Sequence, residues 1–247
     1  MRKLVILLVI ALGVVMILWK SDMSRETEFV AISPTPNKET EVKVTIDIYE
    51  AGDKAITLVP NFQEKLKISE LVAKHGCVAG INGGFYDTDN QPLGWMAAGG
   101  KIISGEKSSN LFNGFLWQEK QPEVHISRDL PLRDVLWGLQ SGPLIMESGR
   151  ALTLSMARDK PARRSVAAIN GHGRLVILTV YYTNSIFDGP MLEELPGVLE
   201  KANLERGWGL VSAVNLDGGS ASAFYTTDLK LDEFSTVGSW LCIRDRE

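Results

Sequence analysis

A chain of 247 residues has room for one sizeable domain with an appendage, and 45% hydrophobic against 23% charged residues excludes a disordered polypeptide. A formal net charge of -4 provides no basic field for a phosphate backbone, so nucleic acid is not an expected partner. Cys77 and Cys242 form no CxxC pair, which excludes a zinc ribbon and a thioredoxin-type redox site. They read first as buried thiols in apolar runs, with one long-range disulfide as the alternative.

Arg2 and Lys3 precede sixteen uncharged, almost wholly apolar residues, Leu4 to Trp19, and Lys20 closes the run. Sixteen helical residues span about 24 Å against about 30 Å of hydrocarbon, so a signal peptide and a thin membrane anchor both fit. No A-x-A-like cleavage site follows. We therefore expect an uncleaved anchor over 1–20, a hydrophobic helix with Arg2 and Lys3 in the cytoplasm and the rest of a single-pass cell-membrane protein outside. If the segment is cleaved, the protein is secreted. Residues 21–40, with Ser33-Pro34-Thr35-Pro36, lack apolar periodicity and read as a flexible tether, which leaves 41–247 as the domain.

Val42, Val44, Ile46 and Ile48 alternate with Lys43, Thr45, Asp47 and Tyr49, the period of a strand with one buried face. Residues 55–59 are expected to pair with it as a hairpin through Gly52-Asp53. Ser69 is a candidate cap for a short helix that Gly76 ends. Strands are expected at 77–81, 111–117, 123–127, 142–147, 165–169, 174–182, 211–216, 221–225 and 237–243. One longer helix is expected at about 191–204, delayed or kinked by Pro196. His172, between two glycines, reads as a hairpin turn. Many strands, few helices and no regular βαβ alternation predict an α+β domain, a mixed β-sheet with a few packed helices.

Four strand ends carry glycine beside polar residues, an arrangement that lets backbone N–H groups approach an anion. They are Asn82-Gly83-Gly84-Phe85, Ser141-Gly142-Pro143, Arg163-Arg164-Ser165 and Asn215-Leu216-Asp217-Gly218-Gly219-Ser220. Taken singly, each is as readily a tight turn. A guanidinium offers a planar fork that matches phosphate oxygens, so Arg163 and Arg164 are candidates for phosphate capture. Asp217 is the candidate catalytic carboxylate, with an Asx-type turn as the structural alternative. Asp87 and Asp89 read as weaker candidates in a surface turn.

In this order and at these separations the four segments resemble the phosphodiester glycosidase family, whose animal member acts on N-acetylglucosamine-1-phosphodiesters. The resemblance covers about residues 70–245. It implies an exported hydrolase that removes a sugar from a sugar-1-phosphodiester, in the cell envelope or outside the cell. Asp217, Arg163, Arg164 and Asn82 would be catalytic. Gly83, Gly84, Phe85, Ser141, Gly142, Asn215, Gly218, Gly219 and Ser220 would bind substrate. Which arginine matches the family's single one stays open.

No cofactor is expected. The alternative is a divalent cation such as Ca or Mg held by Asp217, Asp87 and Asn82. A G-x-S-x-G elbow is absent from 218–222, which disfavours a serine hydrolase. The competitor from another class is a non-catalytic tethered domain that binds envelope glycan or a partner protein, and turnover separates the two. The sequence leaves the oligomeric state open.

Overall fold

The computed structural model describes residues 26–32, 42–120, 123–131 and 134–246. The apolar run 4–19 lies outside them. Among the described residues no helix is long and apolar enough to cross a membrane. The described residues form two α-helices and many strands, a mostly β domain. Every strand pair in the three sheets is antiparallel, which corrects the expected mixed sheet. Local hairpin connections, rather than helical crossovers, join many of the neighbours, and such connections make antiparallel ladders.

The largest sheet has seven strands, with β2 (Val42–Glu50), β13 (Leu175–Tyr182), β12 (Arg164–Asn170) and β14 (Leu210–Asn215) at its centre. Strands β10 (Leu144–Glu147) and β11 (Arg150–Ala151) complete one edge. The other edge is β1 (Glu26–Ile32), which lies within the segment expected to be a tether and pairs with β2 along its whole length. Val44, Ile46 and Ile48 of β2 join Leu195, Val198, Leu199 and Ala202 of helix α2 (Leu195–Arg206) in one core. The alternation therefore locates the helix-covered face. The opposite face is buried as well: Asp47 is 1% exposed and accepts a 2.8 Å hydrogen bond from Tyr181 Oη. A sheet packed on both sides has no solvated face, so a single buried face was too simple an expectation.

Pro196 falls in the first turn of α2, where its missing N–H costs little, and the helix starts four residues later than its apolar pattern suggests. The short helix α1 (Ile68–His75) starts before Ser69: Lys67 is its cap residue, and Glu70 Oε2 accepts the Lys67 N–H at 2.8 Å. Gly76 ends it at φ 63°, the left-handed position that favours glycine.

Two five-stranded sheets face the other side of the large one. The second sheet orders β16 (Lys230–Leu231), β15 (Phe224–Thr226), β4 (Ala79–Asn82), β17 (Ser239–Arg244) and β3 (Ala55–Pro60). The third orders β6 (Lys101–Ser104), β5 (Met96–Ala98), β9 (Val135–Ser141), β7 (Gly114–Glu119) and β8 (Val124–Ser127). Strands β2 and β3 are thus not a hairpin. The Gly52-Asp53 turn exists, but it passes the chain from the first sheet to the second, where β3 pairs with β17. Residues of all three sheets, including Ile177, Val214, Ile81, Leu241, Leu116 and Leu139, share the central core.

Helix α1 covers the outer face of the second sheet, and there Cys77 and Cys242 are joined in a disulfide with Cα atoms 5.4 Å apart. This corrects the reading of two free thiols. Their separation of 165 residues hid the pairing, because only the docking of α1 on β17 brings them together.

Candidate functional site

The site forms where the end of β4, the start of β12 and the end of β14 meet, at the junction of the first and second sheets. Asn82, 1% exposed, closes β4 and is the hub. Its Nδ2 donates to the Asp217 carbonyl at 2.6 Å and to the Gly83 carbonyl at 3.1 Å. Its Oδ1 accepts from Ser165 Oγ at 2.6 Å and from the Ala223 N–H at 3.0 Å. Both ends of the amide are therefore used inside the protein, and Asn82 holds Asp217 in place.

Because the Ser165 hydroxyl donates to Asn82, its 2.8 Å contact with Ser222 must take the proton of Ser222 Oγ. Arg163 Nε in turn donates to Ser222 Oγ at 3.1 Å. A one-directional chain thus runs Arg163, Ser222, Ser165, Asn82, Asp217 carbonyl. Such chains strengthen each link and fix a single arrangement of the segments they join. Asp217 is held from a second side too, since its N–H donates to the Gly83 carbonyl at 3.1 Å.

The two arginines differ. Arg163 is 1% exposed, and its guanidinium donates to the carbonyls of Ile186 (3.0 Å), Asp232 (2.6 Å) and Ser222. Burial pushes its pKa down, opposed by the nearby Tyr181, Asp232 and Glu233. It works as a strut. Arg164 donates through Nε to Pro190 O (2.9 Å) and through Nη2 to Lys160 O (2.6 Å) and Asp159 Oδ1 (3.0 Å). Its Nη1 has no hydrogen-bond partner among the described residues, and it lies 3.9 Å from where a side chain on Gly218 would begin. A Cβ at Gly218 would also stand 3.2 Å from Arg163 O. Gly218 is extended, so glycine serves space here and leaves Arg164 an open front.

Asp217 follows β14 and is partly exposed. Burial pushes its carboxyl up to about 7, against an ordinary value of 3.8, and a Gly218 N–H hydrogen bond works in the opposite direction. Arg164 is ion-paired with Asp159 instead, in a contact where both side chains are nearly sealed. Burial alone would raise Asp159, but the Glu193, Leu192 and Lys160 N–H groups and Arg164 bring it below its usual range.

The other predicted residues fall around this centre. Ser141 Oγ donates to Asn215 O at 2.8 Å, and Asn215 Nδ2 donates to Gly142 O at 2.9 Å, which ties the β9–β10 corner to the end of β14. Asn215 Oδ1 is buried with no partner among the described residues. A Cβ on Gly142, at φ 155°, would collide with Leu111 O at 2.2 Å, so the corner demands glycine. The Gly83 and Gly219 N–H groups are engaged by Ser239 O and Arg163 O, whereas the Gly84 N–H has no partner among the described residues. Gly84 packs beside Gln140 O and Ser141. Phe85 turns away to pair with Phe112 at 4.9 Å. Ser220 is exposed, and its carbonyl accepts the Phe234 and Ser235 N–H groups.

Asp87 is held in a local turn. Its Oδ1 accepts the Asp89 and Gln91 N–H groups, and both ends of the Asn82 amide are engaged within the protein. No cluster of three or more His, Cys, Asp or Glu among the described residues is placed to hold a metal. His172 lies in the β12–β13 turn, as its flanking glycines predict. Cavities of about 370 and 510 Å³ lie near His172, at the opposite end of β12, and one of about 550 Å³ lies beside Trp95. What marks the site is the convergence of hydrogen-bonded strand ends. Asp159 was missed in sequence because nothing periodic surrounds it.

The family model for phosphodiester glycosidases matches residues 75–242, which contain every segment just described. The chain belongs to the phosphodiester glycosidase family. As a member it carries the family's glycosidase-type hydrolase domain. The catalytic domain of zebrafish N-acetylglucosamine-1-phosphodiester alpha-N-acetylglucosaminidase, auto-inhibited by its pro-peptide, is similar in structure. The TM-score is 0.65 at 16% identity, over 92% of this chain and 85% of that one. A hypothetical protein from Synechocystis matches with TM-score 0.66 and 16% identity, over 90% of this chain and 62% of the other. At these identities the likeness shows a shared fold. No curated protein matches the chain.

Proposed function

We propose that this phosphodiester glycosidase hydrolyses a sugar-1-phosphodiester at the bond between the sugar and the phosphate. The observation that carries the reading is the Asp217 carboxyl, pushed up to about 7 by burial in a residue that Asn82 and Gly83 hold in place, next to a Gly218 whose missing side chain would begin 3.9 Å from Arg164 Nη1. A group with a pKa near the working pH is half in its basic form and still basic enough to take a proton in the transition state. In this scheme water adds its oxygen to the anomeric carbon and gives a proton to Asp217. The C–O bond to phosphate breaks, and its electron pair leaves with a phosphate monoester. That leaving group has a second pKa of about 6, so it departs with little proton assistance. Arg164 Nη1 and the Gly84 N–H are donors for the gathering charge. Arg163 and Asn82 position these groups from beneath.

Release of free N-acetylglucosamine from its 1-phosphomethyl diester by the purified protein tests this. Turnover by the wild type and its loss in Asp217→Asn is expected; equal rates in the two would remove Asp217 from the mechanism, and binding without turnover would favour a recognition module.

We also infer that the domain works outside the reducing cytoplasm, in the cell envelope or beyond it. The Cys77–Cys242 disulfide and the apolar run from Leu4 to Trp19 support this. Recovery of the expressed full chain in the soluble cytoplasmic fraction, with both thiols free, would contradict it.

A further inference from the structure

Ile186, Phe187 and Phe234 are 44%, 49% and 67% exposed, an unusual grouping for large apolar side chains on a water-facing surface. The two phenyl rings meet with centroids 4.5 Å apart, tilted by 47°. They come from separate loops, one after β13 and the other between β16 and β17. Nothing in the local sequence pairs them. The buried Arg163 does so: its Nη1 holds Ile186 O, its Nη2 holds Asp232 O, and its backbone N–H holds Phe187 O at 3.0 Å.

The second of these loops, together with Arg163 itself, grips the turn that follows Asp217. The Phe234 N–H donates to Ser220 O at 2.8 Å, and the Gly219 N–H donates to Arg163 O at 2.9 Å. The first loop is rigidly seated. The Tyr182 N–H holds Asp188 O at 2.9 Å, and a Cβ on Gly189 would lie 2.6 Å from Ala162 O. Exposure of the rings is therefore built in, since neither loop can fold over to hide them without breaking these bonds.

We propose that Ile186, Phe187 and Phe234 form an aglycone subsite, which favours an apolar alcohol on the phosphate of the diester. This rests on the function proposed above. The three side chains of the lip carry no donor or acceptor, and polar side chains of the same loops are engaged with one another or with their neighbours: Ser185 with Asp188, Ser235 with Ser220, Asp232 with Lys230 and Glu233 with the Ile68 N–H. A hydroxyl-rich ring would leave its polar edge without partners there, whereas an alkyl or aryl group loses only water. The Phe234 N–H bond to Ser220 O places the lip beside the turn that follows Asp217, so in this scheme the lip takes the alcohol that the phosphate carries away from the sugar.

The test compares kcat/KM for the methyl and octyl diesters of N-acetylglucosamine-1-phosphate. The wild type should favour the octyl diester by about tenfold or more, and Phe187→Ser and Phe234→Ser should each bring that ratio towards unity. Both residues are exposed, so the variants should fold. Equal kcat/KM for the two diesters in the wild type would overturn the subsite and leave the proposed activity standing. A ratio untouched in both variants would do the same, including the case in which only their sedimentation changes because the lip joins two copies. No sugar release from any diester would sink the activity and the subsite together.

Discussion

Replacing Asp217 by asparagine should stabilise the protein at neutral pH and leave it unchanged in acid. The Asp217 carboxyl is ordinarily near 3.8 and stands at about 7 in the folded chain, pushed up by burial. Between those values the folded state holds a proton that the unfolded state has released, so stability falls as pH rises through this window. Below about pH 4 both states are protonated and there is no penalty. Above about pH 7 the penalty is complete. Each pH unit corresponds to about 1.4 kcal/mol, which sets an upper bound of about 4 kcal/mol. Partial solvent contact reduces that to roughly 2 kcal/mol. Asparagine keeps the shape and an acceptor for the Gly218 N–H, and it carries no charge to desolvate. Urea unfolding of wild type and Asp217→Asn from about pH 4 to pH 8 reads the difference directly. The two curves should coincide in acid and diverge towards neutrality, with the variant more stable. A gap that does not change with pH, or a wild type that is the more stable at pH 8, would refute a buried, proton-holding carboxyl.

Arg164→Lys should lower kcat by about tenfold or more, because a point charge cannot present the Nη1 front, and it should also lower stability, because one ammonium cannot hold Pro190 O, Lys160 O and Asp159 together; steady-state kinetics beside a denaturation curve checks this. Gly218→Ala should depress hydrolysis by placing a methyl group before Arg164, and an unaffected rate would show that the front is not used. Arg163→Met should destabilise by about 3 kcal/mol or more in thermal or urea unfolding, since the carbonyls of Ile186, Ser222 and Asp232 lose their donor in a sealed site. Cys77→Ser with Cys242→Ser should lower stability by about 2 to 5 kcal/mol, measured against the oxidised wild type under the same conditions.

Much of this was legible in the residues. The four glycine-bearing strand ends come together in the fold, and Asn82, Asp217 and the arginine pair meet at one junction. Alternation over 42–48 and the apolar face of 191–204 found a strand and the helix packed on it. What failed depends on partners distant in sequence. Pairing between β2 and β3 looked local, but each strand had a better partner more than 120 residues away, β13 and β17. Arg163 and Arg164 are adjacent in sequence and opposite in role, because neighbours on a strand point to opposite sides. Nothing in the dipeptide tells which side is sealed. The strand β9 escaped notice because Gly138 and Gln140 interrupt its pattern. Gly138 is required there by the indole of Trp95, which would lie 2.5 Å from any Cβ. The Gln140 side chain holds Lys107 O and Phe112 O, each at 2.7 Å.

Every element of the site, from Asn82 to Ser222, lies between the two half-cystines. A protease that nicks a surface loop anywhere in that interval opens a covalent ring without releasing a fragment. The pieces would separate on a gel only after reduction, so a clipped molecule can keep its strand ends gathered around Asp217 in surroundings where cleavage is common.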